Sequence, residues 1–212
     1  MKSWIRLGLV GLSLVVGAGA AEPRVVFQER FAGKLSADWS WLREDPKTWR
    51  LKEGALEICV EPGAAHNVKN ALVRKAPDRT KNRYACEVTV TFTSPLVNQF
   101  EQAGLTWYQG DKPVFKLVHE LIDGKTYIIP GKKPTDTKTM QLRLIVDAQQ
   151  FIAQYRPDGK GEFQTAATGA LAPGADEKIS VQCYNGPANA EHWMRFADFR
   201  IVELPDQAEP SK

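Results

Sequence analysis

Along residues 84 to 93, YACEVTVTFT, apolar and polar positions alternate. Cys86, Val88, Val90 and Phe92 fall on one side, and Ala85, Glu87, Thr89 and Thr91 on the other. A period of two predicts a strand with one dry face and one wetter face. The same rhythm recurs between turn residues. Val25, Phe27 and Glu29 alternate with Val26 and Gln28, and residues 55 to 60 alternate between the turns Glu53-Gly54 and Pro62-Gly63. A short strand is expected over 71–74, before Pro77. Ala103, Leu105 and Trp107 share one face, with Gly104, Thr106 and Tyr108 on the other. Gln109-Gly110-Asp111 then turns the chain into a strand over 114–121, and Asp123-Gly124 turns it into 126–129, giving two linked hairpins. Residues 141–147 and 151–156 form another pair, stopped by Pro157-Asp158-Gly159. Residues 163–167, 179–184 and 194–202 complete the set, with Asn185-Gly186-Pro187 as a turn. Residues 32–47 read as a polar stretch carrying Trp39 and Trp41.

No segment of the chain beyond its start has a convincing 3.6-residue period, and there is no internal repeat or long linker. Roughly a dozen strands with frequent turns predict an all-β fold of two packed antiparallel sheets. One domain follows.

The start of the 212-residue chain differs from the rest. Lys2 and Arg6 precede an apolar run from Leu7 to Ala21 broken by Ser13, and Ala18-Gly19-Ala20 has the small-x-small form of a cleavage site. Residues 1–20 are therefore expected to be a secretory signal, shorter than the roughly 20 apolar residues that span a membrane. A secreted or periplasmic protein follows, free of the membrane once the signal is removed. The domain is expected over 21–204, with a flexible polar tail over 205–212. Removal of Lys2 and Arg6 leaves the 28 Lys and Arg almost balanced by 25 Asp and Glu, which gives no electrostatic case for nucleic acid. Of the three cysteines, Cys59, Cys86 and Cys183, each lies in an apolar or alternating segment and reads as a small buried hydrophobe. Export permits a disulfide, and Cys59 with Cys86 is the first pairing to expect.

Several segments together resemble one family: NALVRKAP (70–77), EQAGLTWY (101–108), FKLVHELIDGK (115–125), LRLIV (142–146), YRPDGK (155–160) and YNGPANAEHWMRFADFRI (184–201). Their order and spacing resemble the DUF1349 group, concanavalin A-like or laminin-G-like jelly rolls similar to the C-terminal domain of some bacterial beta-xylosidases. WSWLREDPKTWRLKEGALEI looks like that family's opening, so that Trp41, Arg43 and Trp49 match its framework. The resemblance spans about Phe27 to Ile201. It implies a concanavalin A-like jelly-roll sandwich and an exported, carbohydrate-associated module, standing here without the catalytic propeller that such a domain accompanies in a glycosidase.

Glycoside hydrolysis uses two carboxyl groups, about 5 to 5.5 Å apart for retention and roughly 6.5 to 9.5 Å for inversion. Related sandwich hydrolases set them at alternate positions of one strand, and no such run occurs here. Glu101 and Glu120, on neighbouring strands, are the remaining catalytic candidates, although Lys116 on Glu120's face would hold that carboxylate ionised. His119 shares a face with Phe115, Leu117 and Leu121 and reads as packed. Trp107 reads as core for the same reason. Tyr108, Lys116 and Glu120 share the wetter faces and are the expected ligand contacts, with Trp41 and Arg43 added from the polar stretch. A bare ion-pair ladder explains Lys116 and Glu120 equally well. His66, Asn67 and Asn70 read as turn fasteners.

No cofactor is indicated. Structural calcium is compatible with the fold, though the loops carry no dense Asp/Asn ladder. There is no nucleotide loop, nucleophile elbow or HExxH motif. The sequence thus points to an exported module that binds an oligosaccharide or polysaccharide without catalysis. Its alternatives are a glycoside hydrolase or polysaccharide lyase on the same sandwich, and an interaction module accessory to a glycan-degrading enzyme.

Overall fold

The computed structural model describes residues 22 to 205. The segment expected to be a signal, 1–20, and nearly all of the expected tail lie outside the described residues. The strands in chain order are β1 (Arg24–Glu29), β2 (Ser40–Leu42), β3 (Trp49–Lys52), β4 (Ala55–Cys59), β5 (Ala71–Lys75), β6 (Arg83–Phe92), β7 (Gln102–Gln109) and β8 (Lys112–Ile122). They continue as β9 (Lys125–Ile129), β10 (Lys133–Thr135), β11 (Thr139–Val146), β12 (Gln150–Pro157), β13 (Gln164–Ala170), β14 (Glu177–Tyr184) and β15 (Trp193–Leu204).

All pairings are antiparallel, and the strands form two sheets, as the alternation and the jelly-roll expectation require. The first runs β13-β12-β11-β6-β15-β4-β3, with β1 along the far half of β15; the second runs β10-β9-β8-β7-β14-β5-β2. The predicted hairpins β7–β8, β8–β9 and β11–β12 are all present. The expected polar stretch over 32–47 differs, because Ser40–Leu42 pairs with β5 at a sheet edge. Three residues with no alternation of their own become a strand only because β5 offers free backbone groups.

The inward positions meet in one core. Val88 and Val90 of β6, Leu105 and Trp107 of β7, and Leu142 and Leu144 of β11 are all fully buried. Each apolar side chain so buried contributes about 1.5–3 kcal/mol. His119 joins this core at 0% exposure, stacked 4.3 Å from Phe92, with Nε2 2.7 Å from Thr135 Oγ1. Burial pushes its pKa down to about 3. At one end of the sandwich the fully buried Arg79 donates to both Glu177 carboxylate oxygens (2.9 and 2.7 Å) and to the carbonyls of Asp147, Leu171 and Ala172.

The outward face of the first sheet is drier than the alternation predicts. Glu87 is 2% exposed because Arg143 and Arg200 close over it at 2.6 and 2.7 Å. Arg50 and Arg195 cover Glu57 likewise, at 2.6 and 3.3 Å.

The expected Cys59–Cys86 disulfide is absent, and all three cysteines are free. The pair is barred by position: β15 lies between β4 and β6, and Cys86 faces the core while Cys59 shares the outward side of Glu57.

Candidate functional site

The outward face of the second sheet can be read from its register. One row crosses four strands: Tyr184 on β14, Gln102 on β7, Glu120 on β8 and Tyr127 on β9. A middle row holds Gln182, Gly104, Val118 and Ile129. A third holds Ser180, Thr106 and Lys116. Period two forces this sorting, because the intervening residues Leu105, Leu117 and Val181 all enter the core.

This face is polar yet buried. Gln102, Thr106, Glu120, Ser180 and Gln182 are each under 5% exposed. Lys116 Nζ donates to Gln102 Oε1 at 2.7 Å and to Glu120 Oε2 at 3.1 Å, and Gln102 Nε2 donates to Glu120 Oε1 at 3.2 Å. The three side chains therefore close on one another and cancel their charge locally.

At Gly104 the middle row has no side chain, and a Cβ there would lie 2.2 Å from the Leu117 carbonyl oxygen, so only glycine fits. Tyr184 begins in the first row but lines the same hollow as Thr106 and Lys116 of the third. Ala65, Pro113, Val114 and Phe115 complete a hollow of about 230 Å³. That is below the roughly 300–1,000 Å³ of sites for drug-sized ligands. It suits one small polar ring.

Two buried polar atoms on this face lack a partner: Thr106 Oγ1, in the wall of the hollow, and Gln182 Nε2 behind it. Leaving such a group unpaired costs about 1–3 kcal/mol. A larger hollow, about 410 Å³, lies at the end of the sandwich by Arg79 to Arg83 and Asp147, but none of its lining side chains has an unpartnered buried atom. Arg74 and Glu61, each with at least one unpartnered buried atom, line two further hollows of about 340 and 430 Å³. The hollow by Thr106 is the better candidate because it also adjoins the polar cluster of Lys116, Gln102 and Glu120.

The expected contacts divide. Lys116 and Glu120 do share the face, and Lys116 lines the hollow. Tyr108 is on the same side but is 0% exposed, with its hydroxyl 2.8 Å from both the Ala65 carbonyl oxygen and Gln182 Oε1. The exposed ligand contact expected there is thus corrected to a prop beneath the loop over 61–70. Burial raises the Tyr108 pKa, while the Gln182 hydrogen bond and the nearby Arg43 guanidinium pull it down. Arg43 is exposed and its Nε donates to the Val68 carbonyl at 2.6 Å, so it ties down the other end of that loop. Trp41 turns away from this face, packing against the core with its ring centroid 4.8 Å from that of Trp49. Asn67 and Asn70 fasten turns, accepting from the Ala64 and Asp45 backbone amides at 2.7 Å each.

The carboxylate pair does not form. Glu120 points outward, whereas Glu101 is held at the end of the sandwich by His192 Nδ1 (2.7 Å) and by the amides of Val97 and Asn98 (3.0 and 3.2 Å). Being one residue out of phase with Gln102, Glu101 cannot share Glu120's face. Among the described residues no group of three or more His, Cys, Asp or Glu side chains is placed to hold a metal ion.

Sequence reading alone missed Thr106, Gln182, Tyr184 and Tyr127. The alternation signalled Thr106 by placing it beside Tyr108; the others needed the pairing of distant strands.

No family model and no curated protein matches the sequence. Solved structures match in fold. The GH43 protein BlXynB from Bacillus licheniformis aligns with a TM-score of 0.69 at 19% identity, covering 82% of this chain and 39% of that one. The GH43B protein of a xyloglucan PUL from Bacteroides ovatus aligns at 0.66 and 16%, covering 87% and 40%. An alginate lyase from Corynebacterium sp. aligns at 0.53 and 9%, covering 75% and 82%. This chain thus spans about two fifths of the length of the two GH43 proteins. At such identities the likeness establishes the fold: a two-sheet antiparallel sandwich structurally related to domains of GH43-family glycosidases.

Proposed function

We propose that this chain is an exported, non-catalytic carbohydrate-binding module of the DUF1349 kind, and that it holds a sugar ring in the hollow walled by Thr106, Lys116 and Tyr184. The observation that carries this reading is the unpartnered Thr106 hydroxyl buried in that wall. The hydroxyl is closed from solvent in the unliganded chain, so a sugar hydroxyl supplies the missing partner once a small shift of the Lys116 or Tyr184 side chain uncovers it, while the ring covers the apolar rim of Pro113, Val114 and Phe115. The fold relation to a GH43 protein of a xyloglucan PUL, to a xylan beta-1,4-xylosidase and to a GH43 enzyme with xylanase and arabinofuranosidase activity supports plant cell-wall polysaccharides as the first ligands to try.

Affinity electrophoresis in gels containing xylan, xyloglucan or arabinan tests the reading. The wild-type chain is expected to be retarded by at least one glycan, and T106V and Y184F to run closer to the no-glycan position. No retardation in any gel, or retardation unchanged in both variants, removes it.

A second reading has its own support. A sandwich that fills only two fifths of related chains works there beside another part of the protein, so this copy serves a glycan-degrading enzyme as an accessory. Co-purification from the native source that returns the chain alone counts against it.

A further inference from the structure

Arg74 and Arg79 both enter the interior, and only Arg79 finds its partners, bonding Glu177 and three carbonyls. Arg74, near the end of β5, shares the inward side of Leu72, because two residues of a strand return to the same face. Its side chain is 14% exposed, yet Nε and Nη1 are buried with no hydrogen-bond partner. Nη2 has only Asp38 Oδ2 at 3.6 Å, beyond hydrogen-bond length.

The Phe27 ring, its centroid 3.4 Å from Arg74 Cζ, covers one face of the guanidinium. That contact leaves the donors unanswered, because the N–H bonds lie in the guanidinium plane. Trp39, its ring 5.9 Å from the same carbon, adds another: its Nε1 is also buried without a partner. All of these orphans are donors, so what they lack is an acceptor.

The hollow beside Arg74, about 340 Å³, lies at the seam between the two sheets. Val26 and Phe27 of β1, Ile201 of β15 and Pro77 beyond β5 make its walls largely apolar. Arg74 and Lys75 line it against one carboxylate, Asp38, so one positive charge is left over. Lys75 is exposed and makes no ion pair among the described residues.

We propose that this hollow binds a small monocarboxylic acid with an apolar body, its carboxylate on the Arg74 fork and its body against Phe27, Val26 and Pro77. An ionised carboxylate only accepts hydrogen bonds, and its two oxygens match the guanidinium edge. The donors are closed from solvent in the unliganded chain, so the acid enters as Asp38, 60% exposed and held only by the long contact, swings out and the guanidinium turns toward the hollow. The site shares no residue with the hollow by Thr106 and does not depend on sugar binding there.

Calorimetric titration of the full chain tests the proposal with cinnamate and hexanoate, each beside its uncharged amide, and with glucuronate as an acid of polar body. One of the two apolar acids should bind at least about tenfold more tightly than its amide, and more tightly than glucuronate. R74Q should remove the preference for acid over amide. D38N, at an exposed position, removes the competing carboxylate and should tighten the acid about threefold. No binding of either acid at millimolar concentration, an amide that binds as well as its acid, or an R74Q variant that keeps the preference overturns the site. So does a D38N variant whose affinity is unchanged or lower, whether or not R74Q folds. Tighter binding of glucuronate than of both apolar acids overturns the ligand class.

Discussion

The Tyr108 hydroxyl lies 2.8 Å from Gln182 Oε1 and equally close to the Ala65 carbonyl oxygen, so one phenolic proton faces two acceptors. If Ala65 takes the proton, Gln182 satisfies Tyr108 and Ser180 by turning its amide so that Nε2 donates to both hydroxyls. The unpartnered atom behind the hollow is then the carbonyl oxygen, an acceptor. Y108F breaks this chain at its centre. It should lower stability by about 1–3 kcal/mol and raise amide hydrogen exchange over Ala64 to Val68, with urea titration and exchange mass spectrometry as the measures.

T106V carries the opposite sign. Replacing a buried, unpartnered hydroxyl with a methyl of the same shape removes a desolvation cost, so the variant should unfold at higher urea, by about 1 kcal/mol, while binding sugar less well. A T106V chain no more stable than wild type shows that the hydroxyl is already satisfied.

His119 makes stability depend on pH. Burial lowers its folded pKa to about 3, while the unfolded side chain keeps an ordinary value near 6.5. The unfolded state therefore binds the extra proton between these values. Stability is full above the upper one and is lost as pH falls through the window, by up to about 1.4 kcal/mol per unit. The difference in urea midpoint between wild type and H119Q, followed from pH 7 to pH 4, should shrink as the pH drops. A constant difference rules the effect out.

Arg79 should be among the costliest side chains to remove. Burial opposes ionisation of Glu177, and the Arg79 guanidinium overcomes this and holds its carboxyl below the ordinary range. R79M strands that carboxylate and three carbonyls, and should cost about 3–5 kcal/mol. The R79M/E177Q double variant should lose less than the two single losses added together, which a double-mutant cycle measures.

The thiols should differ in reactivity. Burial pushes Cys86 up to about 12 and Cys183 well above its usual value, and Cys59 is raised too but partly exposed. A thiol reagent at pH 8 should label Cys59 slowly in the folded chain, and the other two only after unfolding. Electrophoretic mobility should be the same with and without reductant.

The strand period alone separated His119 and Trp107 from Tyr108, Lys116 and Glu120, because facing is a local property of alternation. What local pattern does not contain is partnership between strands. Tyr184 and Gln182 reach the site from β14, some 75 residues beyond β7, and only the register shows them beside Gln102 and Gly104. The same limit explains Tyr108. Its outward direction was legible, but the loop over 61–70 that covers it was not. Glu101 was misplaced as a partner for Glu120 because its distance along the chain said nothing of phase, and one residue of phase is a change of face.

β1 and the far half of β15 are antiparallel neighbours, with Arg24 beside Glu203 on the first sheet. The described chain therefore comes in and goes out side by side, on the sheet opposite the row from Tyr184 to Tyr127. A unit wired this way can be spliced whole into a host polypeptide, or hung from one by either end, with the outward face of its second sheet left clear.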